Sequence, residues 1–307
     1  MRIAVTGSID ADQLTPCGRS FAEQFIAECL DKLSLSLSAD QPRIHSGGRA
    51  ANIAFGLGSL GLAPLLIGSA GSDLCDRQAG DLRQVQERSG PLDLVVVSAD
   101  APEAMARRAR QCAKLQIPFV AAPAGQLARL GRDQVRALLA GPRVLFTNAH
   151  QSVLIQERSG WTEQQVLGRV GTWVTTYGAR GSRIVSANRL PRDVAAVPAR
   201  AAAEPAGAGD AFRAGFLAAL AWGLGPVDAA RLGSALASLA LESAGTRQYA
   251  LHGPELADRL VCAYGAGAVR QIVPRLEHLA HPARTPAARV ARASSLPRSS
   301  YDPRPAR

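Results

Sequence analysis

The chain reads as an α/β protein, a doubly wound and mostly parallel sheet with helices on both faces. Three observations carry that reading. Short hydrophobic runs recur without polar alternation, as strands covered on both faces require. Stretches with helical spacing of Ala, Leu and Val lie between them, so strand and helix alternate along the chain. Two glycine-rich stretches, around 47–48 and 207–209, each open one of those helices.

Taken in order, Arg2 to Thr6 is a buried strand ending in Gly7-Ser8, and Ile9 to Asp12 follows as a polar turn. Leu33 to Ser38 alternates strictly and reads as a half-buried strand with its serines on one face. Gly47-Gly48 leads into a helix from about Ala50 to Leu62, and a strand follows at Pro64 to Ile67. A polar helix up to about Gly90 precedes a strand at Leu92 to Val97. Further on the spacing predicts helix Pro102 to Leu115, strand Pro118 to Ala121, helix Gly125 to Leu139 and strand Val144 to Thr147. Helix Thr162 to Gly168 and strand Thr172 to Tyr177 come next. The C-terminal segments Pro226 to Glu242, Pro254 to Tyr264 and Val269 to Leu279 are helical.

Composition narrows the function classes. At 307 residues the chain suits one large or two smaller domains. No apolar run approaches the roughly 20 residues of a membrane span, and no export leader is evident, so a cytoplasmic protein without membrane contact is expected. Five scattered cysteines without a C-x-x-C pair read as reduced thiols, not a disulfide framework or a zinc site. The net charge is +10, but after His281 six arginines face Asp302 alone, so a basic Pro/Ser-rich tail over 281–307 supplies about half of it and is expected to be disordered. The rest forms no basic stripe, which argues against a specific nucleic-acid partner.

The chemistry concentrates in Glu-Pro-Ala-Gly-Ala-Gly-Asp at Glu204 to Asp210, followed by a helical Ala/Leu/Phe run. Gly207 and Gly209 permit a tight turn, and the first amides of the helix, from Gly207 to Asp210, are left unpaired at the positive end of its dipole. A carboxylate beside such an anion hole suits a hydroxyl that loses its proton while phosphate charge is stabilised nearby. A plain helix cap is the alternative use of Asp210. The second stretch, His45 to Gly61, brings a Gly-Gly pair close to a ligand and places Asn52, donor and acceptor, one turn into a helix. Within it Gly56 to Gly61 spells G-x-G-x-x-G, yet that dinucleotide fingerprint needs a strand before and a helix after it. Here it lies within or at the end of a helix, and the dinucleotide reading is rejected.

Together Gly-Gly-x-x-x-Asn and Gly-Ala-Gly-Asp resemble the signatures of the ribokinase-like (PfkB) kinases. Ile3 to Ile9, Leu-Phe-Thr-Asn at Leu145 to Asn148 and Leu-Glu-Ser-x-Gly-Thr at Leu241 to Thr246 look most like the actinobacterial adenosine kinases. The resemblance runs from Met1 to about Leu279 and makes 1–280 one kinase domain. It implies ATP carried in with Mg²⁺, and transfer of the γ-phosphate to a primary 5′-hydroxyl of a nucleoside or sugar, adenosine foremost. Asp210 is then the base, with Gly207, Ala208 and Gly209 as the anion hole. Ser8, Asp12, Ser36, Gly48 and Asn52 are implied on the substrate, and Asn148, Thr176, Gly178 and Gly181 on the nucleotide. A small-molecule substrate and a monomer or homodimer are expected; Arg49 receives no role.

Several positions depart from the family pattern. Glu204 and Ala206 replace an Asp and a Thr, Gln151 stands where the family has the glutamate of Asn-x-x-Glu, and Ala122 replaces an acid. Only Leu74 to Ala99 lies where the family inserts a lid sheet, so a reduced or absent β lid is expected. Two functions therefore stay open: an active nucleoside or sugar kinase, or an impaired paralogue that binds nucleotide or sugar without efficient turnover.

Overall fold

The structure, a computed structural model, describes residues 1–9, 11–14, 43–46, 48–68, 81–200, 206–243, 249–279 and 289–290. The expected strand Leu33 to Ser38 with Ser36, the turn at Glu204-Pro205 and most of the basic tail lie outside them. Strand β1 (Ile3–Thr6) sends Ile3 and Val5 into one buried cluster and Ala4 into another, because successive side chains of a strand point to opposite faces. That division organises the molecule. Strands β2 (Ala11–Leu14) and β3 (Arg43–Ser46) form a separate antiparallel pair, with Asp12 opposite His45. The polar turn expected through Asp12 is therefore a strand. Its partner lies about thirty residues further on, beyond what local sequence can show.

Helix α1 (Arg49–Ser59) and β4 (Leu65–Ile67) complete the first crossover. Residues 81–99 hold α2 (Leu82–Ser89) and β5 (Leu94–Ser98); residues 74–80, the rest of the segment expected to carry a reduced lid, lie outside the described residues. Next come α3 (Pro102–Lys114), β6 (Phe119–Ala122) and α4 (Arg132–Leu138). The single helix expected from Gly125 to Leu139 is split: a 3-10 turn covers Ala124–Arg129, and Gly131 starts α4 in an extended conformation with its amide donating to Gln134. Strand β7 (Val144–Asn148) runs directly into α5 (Ala149–Ser159), which the sequence reading did not anticipate. After α6 (Glu163–Leu167) and β8 (Thr172–Thr176), two more unexpected strands, β9 (Ser182–Val185) and β10 (Arg192–Val194), extend the sheet antiparallel. The C-terminal part holds α7 (Ala208–Ala221), α8 (Pro226–Leu241), α9 (Gly253–Tyr264), and the short α10 (Ala266–Val269) and α11 (Val273–Glu277). In the tail, β11 (Arg289–Val290) pairs parallel with β4.

The main sheet has the order β10-β9-β8-β7-β6-β5-β1-β4-β11 and is parallel except at β9 and β10. One face carries α1, α7, α8 and α9 over Val5, Val96 and Phe146; the other carries α2 to α6 over Val95, Val97 and Trp173. This is the doubly wound architecture expected. The chain leaves β1 toward β4 on one side and returns to β5 on the other, so the strand order reverses between β1 and β5. Ligands of such sheets collect beyond the carboxyl ends at that point. Among the described residues no helix is long and apolar enough to cross a membrane.

Candidate active site

Two helices start at the carboxyl edge of the sheet, one from each half of the chain. Helix α1 starts at Gly48, whose φ of 92° and ψ of 130° suit glycine alone. Ser8, just past β1, anchors this start: its hydroxyl accepts from the Arg49 amide and its carbonyl from the Ala50 amide, both at 3.2 Å. The Ser8 amide in turn donates to Ala99 beyond β5 at 3.0 Å. Helix α7 starts at Gly207, with φ of 81° and ψ of −15°. The Asp210 amide bends back to the Gly207 carbonyl at 3.0 Å, so it leaves the expected anion hole. Ala208 and Gly209 keep first-turn amides without an acceptor inside the helix.

The side chains of the two helices meet. Asn52, buried on α1, donates from Nδ2 to Oδ2 of Asp210 at 3.2 Å across 158 residues of sequence. Asp210 is 1% exposed, and its Oδ1 accepts from Arg213 Nη1 at 2.7 Å, one helical turn on. Arg49 Nη1 lies 3.7 Å from the same oxygen, on a side chain that is 46% exposed. Burial pushes the Arg213 guanidinium below the usual arginine range, and the Asp210 carboxylate pulls it back up. A buried charge requires such a partner. Tyr249 packs edge-on against Phe55 with ring centroids 5.0 Å apart; burial raises its phenol, and the Asp210 charge raises it further.

The rejected G-x-G-x-x-G stretch lies inside and just after α1, and its first glycine is needed for helix packing. A Cβ on Gly56 would come within 2.5 Å of Ala214 Cβ on α7 and 2.8 Å of the Tyr249 hydroxyl. The glycine lets α1 and α7 approach closely enough for Asn52 to reach Asp210.

A cavity of about 670 Å³ opens beside the start of α7. Thr176, Gly178 and Gly181 line one side, Ala208, Gly209 and Phe212 another, and Ala196 to Ala199 with Ser234, Ala237, Ser238 and Leu241 the rest. Three of the four residues expected on the nucleotide thus share one cavity with the amides of the anion hole. Gly181 has φ of 90°, and a Cβ there would strike the Val194 carbonyl of β10, so the turn demands glycine. The loop forming the 196–199 wall is tied down at Arg200: its amide donates to Glu242 at 2.6 Å, and Arg259 clamps Glu242 with two bonds of 2.7 Å. Those bonds, chiefly from Arg259, hold the Glu242 carboxyl below its ordinary range.

Asn148 and Gln151 form a reciprocal cap on α5: the Asn148 amide donates to Gln151 Oε1 at 3.0 Å, and the Gln151 amide to Asn148 Oδ1 at 2.8 Å. Asn148 is not among the cavity-lining residues, although it is paired with Thr176 in the sheet. The structure gives the backbone of Asp12 on β2 but not its side chain, and Ser36 lies outside the described residues. Sequence reasoning missed Arg49, Arg213, Tyr249 and the serines of α8. Arg213 was accessible from its i, i+3 spacing to Asp210, whereas nothing local shows that Arg49 turns toward α7.

The fold is a doubly wound α/β sheet with two helix starts meeting at its carboxyl edge and a cavity of about 670 Å³ beside them. The chain belongs to the pfkB family carbohydrate kinases, whose family profile matches residues 76–252. It is 35% identical over 130 residues to a nucleoside kinase of Methanothermobacter thermautotrophicus, covering 41% of this chain and 40% of that protein. A nucleoside kinase of Methanocaldococcus jannaschii is 27% identical over 123 residues, 40% of each. The matched segment thus spans about two fifths of these relatives. In three dimensions the chain resembles the Burkholderia thailandensis nucleoside kinase in complex with inosine, with a TM-score of 0.71 at 21% identity over 86% of this chain and 99% of that one. It also resembles the Sinorhizobium meliloti adenosine kinase, with a TM-score of 0.59 at 17% identity over 88% and 98% of the two chains. At these identities the likeness establishes the fold, which is that of the ribokinase-like kinases.

Proposed function

We propose that the chain is an ATP-dependent kinase acting on the primary 5′-hydroxyl of a nucleoside, with adenosine and inosine the first substrates to test. The observation that carries this reading is the Asn52–Asp210 contact of 3.2 Å, which joins the two signature stretches beside the 670 Å³ cavity. ATP supplies the phosphoryl group. Asp210 takes the proton of the attacking hydroxyl, and Asn52 both orients that carboxylate and faces the sugar with Gly48 and Asp12. The Ala208 and Gly209 amides offset charge that develops on the phosphoryl oxygens. Thr176, Gly178 and Gly181 line the nucleotide side, and the base rests against Val197, Phe212 and Leu241.

The residues present offer no ready-made cage for Mg²⁺. Among the described residues no three His, Cys, Asp or Glu side chains cluster, Asp210 is already paired with Arg213, and Gln151 is uncharged. The cation is therefore assigned to the nucleotide, and no step is derived through it. The second reading, a weakly active paralogue, is favoured by one observation: the family's glutamate position is occupied by Gln151, which serves to cap α5.

An ATP-consumption assay with adenosine, inosine, ribose and fructose 6-phosphate separates the two, with Asp210→Asn as the reference. Loss of a positioned general base is expected to lower turnover by roughly 10²- to 10⁴-fold. Wild-type turnover equal to that of Asp210→Asn with every acceptor would leave only the binding paralogue.

A further inference from the structure

Asp210 has two arginines and needs one. Arg213 holds it from inside, buried, at 2.7 Å. Arg49 approaches the same oxygen from the solvent side at 3.7 Å, beyond hydrogen-bond length, on a half-exposed side chain. A half-exposed ion pair of that length contributes little and is readily exchanged. Among the described residues that meet at the mouth of the site, one carboxylate stands against two guanidinium groups, a local excess of positive charge. The starts of α1 and α7, meeting there, add the positive ends of two helix dipoles. Two guanidinium groups around the Asp210 carboxylate favour a ligand more negative than a nucleoside.

The position of Arg49 says which part of that ligand it meets. Its backbone is pinned by the Ser8 hydroxyl, and its guanidinium ends within 4 Å of the carboxylate that would receive the proton. The attacking hydroxyl must lie within hydrogen-bond reach of Asp210, and the phosphorus it attacks adjoins that hydroxyl. Arg49 therefore reaches the phosphoryl oxygens, and its planar fork matches them better than a point charge would.

We propose that Arg49 is a phosphate-binding residue of the transfer step, exchanging its contact with Asp210 for the terminal phosphoryl group of the nucleoside triphosphate. This rests on the kinase reading above. As the new bond from the acceptor oxygen to phosphorus forms and the bridging bond to the nucleoside diphosphate breaks, Asp210 takes the hydroxyl proton. Arg49 keeps its own proton throughout and stabilises the transferred group. Released from Arg49, the Asp210 carboxylate is open on the solvent side to the acceptor hydroxyl.

The test compares calorimetric binding of ADP and of the β,γ-imido analogue of ATP to the full chain, as wild type, Arg49→Gln and Arg49→Lys. Thermal melting of each variant verifies that it is folded. Arg49→Gln is expected to weaken the triphosphate analogue by about tenfold or more while leaving ADP unchanged, as loss of a charged hydrogen bond to the terminal phosphate would. Arg49→Lys should fall between, and kcat should drop in Arg49→Gln with the acceptor KM unaltered. An unchanged ratio of analogue to ADP affinity in Arg49→Gln would overturn the proposal and leave the kinase reading standing. A KM that rises for fructose 6-phosphate but not for adenosine would also overturn it, by placing Arg49 on the acceptor. Failure of the wild type to bind ADP would instead remove the kinase reading, and the role of Arg49 with it.

Discussion

The starts of α1 and α7 look alike in sequence and differ in what completes them. Each follows a glycine with positive φ, Gly48 or Gly207, and neither has a side-chain cap of its own. At α1 the protein satisfies the first amides itself, through the hydroxyl and carbonyl of Ser8. At α7, among the described residues, the third amide is satisfied by the Gly207 carbonyl, and Ala208 and Gly209 line a cavity. One start is closed and serves as a platform for Arg49 and Asn52; the other is open and available to an anion. A Gly-rich turn before a helix is thus no anion site until its amides have been accounted for.

The largest effect expected from breaking this arrangement is at Arg213. Arg213→Met keeps the bulk but leaves the Asp210 carboxylate buried without its 2.7 Å partner. Removing one member of a buried pair is strongly destabilising, and a loss of about 3–5 kcal/mol is expected in denaturant unfolding. Arg49 and Asn52 remain near the carboxylate, so the lower end of that range is favoured. A neutral result would mean that Asp210 is held by those two groups and that Arg213 is dispensable.

A pair of glycine substitutions sharpens the contrast itself. Gly48→Ala forces a residue with a Cβ into φ 92° and ψ 130°, and strain of this kind costs on the order of 1–3 kcal/mol. Gly207→Ala meets a milder left-handed conformation, at about 1–2 kcal/mol. Stability should thus fall more at Gly48, while ADP affinity should fall only at Gly207. Unfolding curves and ADP titrations on the same two preparations decide it. Equal loss of ADP binding in both would mean that α1, too, carries part of the phosphate site.

Much of this was legible in the sequence because it is local. The parallel strands show as uninterrupted runs such as Leu94 to Val97, and Gly207 to Asp210 announces a turn into a helix. What stayed hidden depends on distant partners. Asp12 reads as a turn residue because the strand it pairs with begins at Arg43. Strands β9 and β10 are short; β9 pairs antiparallel with β8 and β10 antiparallel with β9, so both depend on their neighbours and not on any pattern of their own. Helix α5 was hidden for another reason: Asn148 and Gln151, seen through the family's Asn-x-x-Glu, drew notice as phosphate and metal positions, although the same spacing is a capping box. The resemblance implies that Asn52 touches the substrate and that Asp210 is the base, but their direct contact needed coordinates. The crowding of Arg49 and Arg213 onto the same carboxylate needed coordinates.

The smallest expected effect tests the closed start directly. Ser8 carries two roles at once: by resemblance it belongs to the substrate site, and by geometry its hydroxyl accepts from the Arg49 amide at 3.2 Å. Ser8→Ala removes that acceptor but not the carbonyl that holds Ala50, so one of two anchors of α1 survives. Losing a side-chain cap costs about 1 kcal/mol, and a fall of that size in unfolding free energy is expected. Because Arg49 then springs from a looser backbone, the affinity for a triphosphate analogue should fall slightly while that for ADP holds. An acceptor KM that rises with stability unchanged would give the opposite result. The Ser8 hydroxyl would then belong to the substrate, and the start of α1 would be less closed than its hydrogen bonds imply.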